Sequence, residues 1–84
     1  MNWTEGRLFV LRELSSGNKT PREISNIARE YNLNRRFECV NEWADGYLRW
    51  LRDQGFAEKT GRRSFAAAIH AITPEGVKAL DANS

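Results

Sequence analysis

The stretch from Asn34 to Gly55 constrains the fold more than any other part of the chain. Its apolar residues recur at three- and four-residue steps, which places them on one side of a helix. They are Phe37, Val40, Ala44, Tyr47, Leu48 and Leu51. Asn34 is a residue type that caps helices, and Gly55 can take the left-handed conformation that ends one. The pattern predicts one long helix with a core face and a polar face.

Two shorter helices are predicted before it. Asn2 and Glu5 approximate a capping box for a helix over Trp3–Leu14, and Ser15–Asn18 then breaks the helical pattern. Thr20, Pro21 and Glu23 place a cap hydroxyl, a proline and a capping-box carboxylate in the order that starts a helix. The apolar spacing predicts that both helices bury one face, formed by Leu8, Val10, Leu11 and Leu14 in the first and by Ile24, Ile27, Ala28 and Tyr31 in the second.

The pattern changes after Gly55. Phe56–Thr60 and Ser64–Ile72 are predicted as the two strands of a β-hairpin, with the turn at Gly61–Arg63. Thr73-Pro74-Glu75 then repeats the cap-and-proline start, so a short last helix is expected from Pro74 to Ala82, with Val77 and Leu80 facing inward.

Composition narrows the class of protein. The 84 residues are enough for one domain, residues 1–84, and the net charge of +2 does not by itself indicate a polyanionic partner. A single cysteine, Cys39, excludes an internal disulfide, and one histidine leaves too few ligands for a Cys/His zinc site. No run is apolar enough to span a bilayer, so we expect a cytoplasmic protein.

No catalytic motif, cofactor loop or effector pocket is indicated, and we expect neither an enzyme nor a small-molecule effector. His70 has no nucleophile or carboxylate partner suggested by spacing. We expect it to be half-buried in the second strand and satisfied by a local hydrogen bond. Cys39 lacks an activating context and is expected to be a small apolar helix residue.

Three local stretches together resemble winged helix-turn-helix domains: TPREIS at the second helix, YLRWLRDQGF leading into the first strand, and ITPEGVKAL leaving the hairpin. The resemblance implies an α+β, mostly helical fold of three helices, a β-hairpin wing and a short C-terminal helix. In that family the third helix usually enters the DNA major groove and the wing contacts phosphates or the minor groove. One departure is that NRRFECVN lengthens the third helix by about two turns at its N-terminal end.

The resemblance implies binding to double-stranded DNA, as in a small transcriptional regulator that recognises a specific sequence. The candidate contacts on the long helix are Arg35, Arg36, Glu42 and Arg49, those on the wing are Lys59, Arg62 and Arg63, and those at the second helix's N-terminus are Thr20 and Arg22. The polar face of the long helix also carries Glu38 and Asp53. A solvated face with intrahelical Asp45–Arg49 and Arg49–Asp53 pairs is therefore the alternative.

A tryptophan-containing stripe adjoins the core face of the long helix, formed by Cys39, Trp43, Gly46 and Trp50. Two interpretations stay open. The first helix, with Trp3, or the last helix can cover the stripe as part of the core. Alternatively the stripe is a protein interface, most simply that of a homodimer, formed by Trp3, Cys39, Trp43 and Trp50, since tryptophan is enriched in such contacts. A winged-helix module that binds protein through Trp43 and Trp50 is thus the second functional hypothesis.

Overall fold

A computed structural model describes residues 2–36, 41–64 and 66–83. These residues form an α+β, mostly helical fold of four helices and one two-stranded antiparallel hairpin. The elements are α1 (Glu5–Ser15), α2 (Pro21–Glu30), α3 (Glu42–Asp53), β1 (Ala57–Ser64), β2 (Ala67–Ile72) and α4 (Pro74–Ala82). No helix in the described ranges has the length and apolarity that crossing a membrane requires.

Side-chain caps determine where three of the helices begin. The Thr20 hydroxyl accepts a hydrogen bond from the Glu23 amide at 3.2 Å, and the Glu23 carboxylate accepts one from the Thr20 amide at 3.1 Å. This is the predicted capping box of α2. Thr73 caps α4 as predicted, but α1 begins later than predicted because Thr4, rather than Asn2, accepts from the Arg7 amide.

The long helix was predicted to start at Asn34, and this is wrong for the described residues: α3 begins at Glu42. Asn34 is buried and its side-chain amide donates to the Ser25 carbonyl at 3.4 Å, so it is not available as a cap. Asn32 has a φ of 62°, which turns the chain sharply before it. Arg35 and Arg36 lie in a turn. The predicted helical residues Phe37, Glu38, Cys39 and Val40 lie outside the described residues.

The core forms where α1, α2, α3 and the start of β1 meet. Its buried apolar members are Val10, Leu11, Leu14, Ile24, Ala44, Leu48, Leu51, Phe56 and Ala57. Leu80 packs against this cluster, as predicted. Two residues predicted to face inward do not, since Tyr31 is 66% exposed and Val77 is 45% exposed. Tyr31 is the residue that ends α2, and there its ring packs against Phe9 at the surface.

The hairpin reverses later than predicted. Gly61, Arg62 and Arg63 lie in β1 rather than in the turn, and Ser64 pairs with Ala67 beside the reversal. Gly61, with a φ of 86°, lies in an irregularity of the pairing between Lys59 and Arg63. The Thr60 hydroxyl donates to the Ile69 carbonyl across it. Because Gly61 lies within this irregularity instead of forming the turn, the two strands continue past the predicted turn.

A short link joins the hairpin to the helices. Lys19, just before α2, pairs with His70 of β2 through two backbone hydrogen bonds, of 3.0 and 2.7 Å. The α1–α2 connection therefore runs antiparallel to β2 for one residue pair. This pairing fixes the hairpin against the start of α2, beside the exposed side of α3.

Candidate nucleic-acid interface

Most of the predicted DNA-contacting residues are exposed. Those with exposed side chains are Arg22, Arg35, Arg36, Glu42, Arg49, Lys59, Arg62 and Arg63. Thr20 differs: it is 3% exposed, and its hydroxyl is engaged by both the amide and the carboxylate of Glu23. The hydroxyl therefore stabilises the start of α2, and the phosphate contact predicted at Thr20 stays a prediction.

A cleft of about 560 Å³ lies between α3 and the hairpin, and we call it the basic cleft. Its charged lining residues are Asp45, Arg49 and Arg52 from α3 and Lys59 and Arg63 from β1. Asp45 is the sole carboxylate among the described lining residues, against four cations. The opposite wall includes Ala66, Ala67 and Ala68, whose short side chains leave the space open. Such a surface attracts polyanions.

The arginine of α3 that sequence reasoning missed, Arg52, is held by His70. An arginine side chain has only donors, so its NH1 group donates to Nε2 of His70 at 2.8 Å. Nε2 is then the acceptor of a neutral ring, and Nδ1 carries the proton that is donated to the Ala68 carbonyl at 3.0 Å. The helical spacing of Arg49 and Arg52, three residues apart, was the signal that could have placed Arg52 in the cleft.

His70 is more buried than predicted, at 2% exposure, and of its two side-chain hydrogen bonds the one to the Ala68 carbonyl is local, as expected, whereas the one from Arg52 is not. Burial lowers the pKa of His70 below its ordinary value of 6.5. The nearby positive charges of Arg52 and Lys59 lower that pKa as well, against the opposing effects of the Ala68 hydrogen bond and of Asp45. The ring is therefore neutral at neutral pH, and it can hold Arg52 without repelling it.

A second depression of about 550 Å³ lies on the other side of α3, and we call it the aromatic groove. Arg7, Arg35 and Arg36 line it together with the rings of Trp43 and Tyr47. No acidic residue lines it in the described part of the chain. The side chain of Arg35 is partly engaged, since its Nε donates to the Asn32 carbonyl at 2.9 Å.

Both depressions reach Gly46, on the exposed side of α3. Arg35 and Arg36 therefore lie on one side of this residue, and Arg49 and Arg63 on the other. Arg62 is exposed but lines neither depression.

The acidic residues of α3 do not neutralise its arginines by pairing. In the described ranges neither Asp45 nor Asp53 forms the predicted ion pair with Arg49, so the predicted intrahelical pairs are absent there. Glu42 and Asp45 lie in the first turn, where negative charge interacts favourably with the helix dipole. This gives the two carboxylates a structural reason to be present beside a basic surface.

The three tryptophans make contacts with other side chains of the same chain. Trp3 meets Trp50 edge-on, with ring centroids 5.2 Å apart, and stacks on Phe56 at 5.3 Å. The Arg7 guanidinium lies 3.9 Å from the centre of the Trp50 ring. Trp43 contacts Tyr47 at 4.8 Å. These half-buried rings extend the core, and Cys39, the other residue predicted for this interface, lies outside the described residues.

No family model and no curated protein sequence matches this chain. The basic cleft and the aromatic groove therefore provide the geometric basis for a functional proposal.

Proposed function

We propose that this chain binds double-stranded DNA as a winged helix-turn-helix protein and acts as a small transcriptional regulator. The observation that carries the proposal is the basic cleft, in which Arg49 and Arg52 of α3 lie opposite Lys59 and Arg63 of the hairpin. Backbone phosphates supply much of the affinity of DNA-binding proteins, and neutralising them requires cations that several elements bring to one surface.

The arrangement of elements supports the same proposal. Three helices precede a hairpin and a short helix, and Lys19 pairs with the second hairpin strand. This order is compatible with a winged helix, in which the hairpin lies beside the third helix. A helix of the dimensions of α3 fits a major groove about 12 Å wide. In this pose Arg49 lies close to base edges or phosphates, and Lys59, Arg62 and Arg63 are available to the backbone or minor groove.

The predicted contacts outside the cleft enlarge the surface. Arg22, at the exposed start of α2, can add a phosphate contact through its charge. Arg35 and Arg36 can do the same from the aromatic groove. Glu42, exposed on the first turn of α3, can accept a hydrogen bond from a cytosine amino group in this pose.

A charge-matched pair of variants tests the proposal. Binding is measured by fluorescence anisotropy with a labelled random-sequence duplex at low salt. Arg49→Ala with Arg63→Ala removes two cations from the cleft and is expected to weaken binding about tenfold or more. Arg12→Ala with Lys78→Ala removes two exposed cations that line neither depression and is expected to bind like the wild type. Equal affinities for the two double variants would refute the assignment of the cleft.

The alternative, a protein-binding module or homodimer formed through Trp43 and Trp50, has weaker support. Both rings already contact aromatic neighbours in the same chain, which reduces the apolar surface that they offer to a partner. Self-association through this stripe stays a prediction that sizing by light scattering can test.

A further inference from the structure

Among the three glycines inside helices, Gly46 is the one whose lack of a side chain no neighbouring residue of the described chain requires. It lies inside α3, where glycine is less favourable than alanine by about 1 kcal/mol. A Cβ atom built on it meets nothing within 4 Å, so no neighbour in the described chain requires the side chain to be absent. The other two helical glycines differ. A Cβ on Gly6 would overlap the Tyr47 ring, and one on Gly76 would overlap the Phe56 carbonyl.

A second unfavourable feature lines the same cleft. The side-chain oxygen of Asn41, the residue before α3, is buried and accepts no hydrogen bond within the described ranges. Asn41 occupies the cap position of α3 without capping it. Gly46 and Asn41 thus both reduce stability on the cleft side of α3 with no compensating contact in the described chain. Departures of this kind concentrate where a protein binds its ligand.

We infer that Gly46 is the point at which the DNA backbone comes closest to α3, an inference that rests on the proposed function. Because Gly46 has no side chain, a ligand can approach the backbone of α3 closely at the point where the basic cleft and the aromatic groove meet. A sugar-phosphate strand lying there reaches Arg35 and Arg36 on one side and Arg49 and Arg63 on the other. Glycine allows such close backbone approach, whereas any added side chain holds the strand away.

Opposite effects on stability and on binding test this inference. Gly46→Ala is expected to raise the melting temperature by about 4–8 °C, because it removes the cost of a helical glycine. The same variant is expected to bind a labelled random-sequence duplex about tenfold more weakly. A loss of this size corresponds to roughly one hydrogen bond to a charged group. Weaker binding by a more stable protein cannot arise from unfolding.

A size series and a control complete the experiment. Gly46→Leu is expected to bind more weakly than Gly46→Ala, with folding verified by circular dichroism. Val77→Ala changes an uncharged, exposed residue of α4 outside both depressions and is expected to bind like the wild type. If both Gly46 variants bind as tightly as a DNA-binding wild type, the inference is wrong and the proposed function stands. If the wild type binds no duplex, the proposed function fails and the inference fails with it.

Discussion

Thr20→Val should destabilise the protein without changing its DNA affinity. Valine matches threonine in shape but lacks the hydroxyl group. In the wild type this hydroxyl accepts a hydrogen bond from the Glu23 amide, at 3.2 Å, and donates one to the Glu23 carboxylate, at 3.1 Å. The backbone half of the capping box, from the Thr20 amide to the same carboxylate, is retained. Losing a helix cap costs about 0.5–2 kcal/mol. Thr20 is 3% exposed, which places the expected loss in the upper half of that range.

The loss corresponds to a fall in melting temperature of about 5–16 °C for a domain of this size. Urea unfolding followed by tryptophan fluorescence measures the free energy, and Thr20→Ser, which keeps the oxygen, should recover most of it. DNA affinity is measured at a temperature at which all three proteins are folded. A folded Thr20→Val protein that binds DNA markedly more weakly would refute the account, because the hydroxyl would then contact the ligand. A Thr20→Val protein as stable as the wild type would refute it as well.

Three further predictions follow from the site. Stability should fall as the pH drops below about 6.5, because the pKa of His70 is lower in the folded than in the unfolded protein and unfolding then takes up a proton. Urea midpoints from pH 5 to 7.5 should therefore vary less in His70→Gln, and an identical profile would contradict the neutral buried ring. Trp50→Ala should lower the free energy of unfolding by about 2–3 kcal/mol, since it removes packing against Trp3 and Arg7, without changing the mass measured by light scattering. A fall in mass would instead support the interface. Arg63→Ala should weaken DNA binding more than Arg62→Ala, because only Arg63 lines the cleft, and the opposite ranking would place the DNA outside it.

The parts of the fold that could be predicted are those governed by local chemistry. The cap hydroxyl, proline and carboxylate at Thr20–Glu23 specify a helix start through hydrogen bonds within four residues, and the structure has that start. The same holds for Thr73 and Pro74 at the start of α4. The apolar spacing of Ala44, Leu48 and Leu51 likewise gave the buried face of α3 correctly.

The parts that could not be predicted depend on contacts between distant residues. Asn34 has the chemistry of a helix cap, but its amide bonds to Ser25, nine residues earlier. Gly61 has the chemistry of a turn, but the Thr60–Ile69 hydrogen bond keeps it within the strand pair. For the candidate site, the spacing from Arg49 could have indicated Arg52, but the hydrogen bond that holds Arg52 joins it to His70, 18 residues away, and no local pattern reports such a pair.

The most direct test of DNA binding by the basic cleft is the salt dependence of wild-type affinity. Each neutralised phosphate contributes about −0.9 to the slope of log K against log salt concentration on duplex DNA. If the four cleft cations each neutralise one phosphate, the slope for a random-sequence duplex is expected to be about −3.6 or steeper. A slope near zero, or no binding at about 50 mM salt, where electrostatic binding is strong, would contradict the proposal.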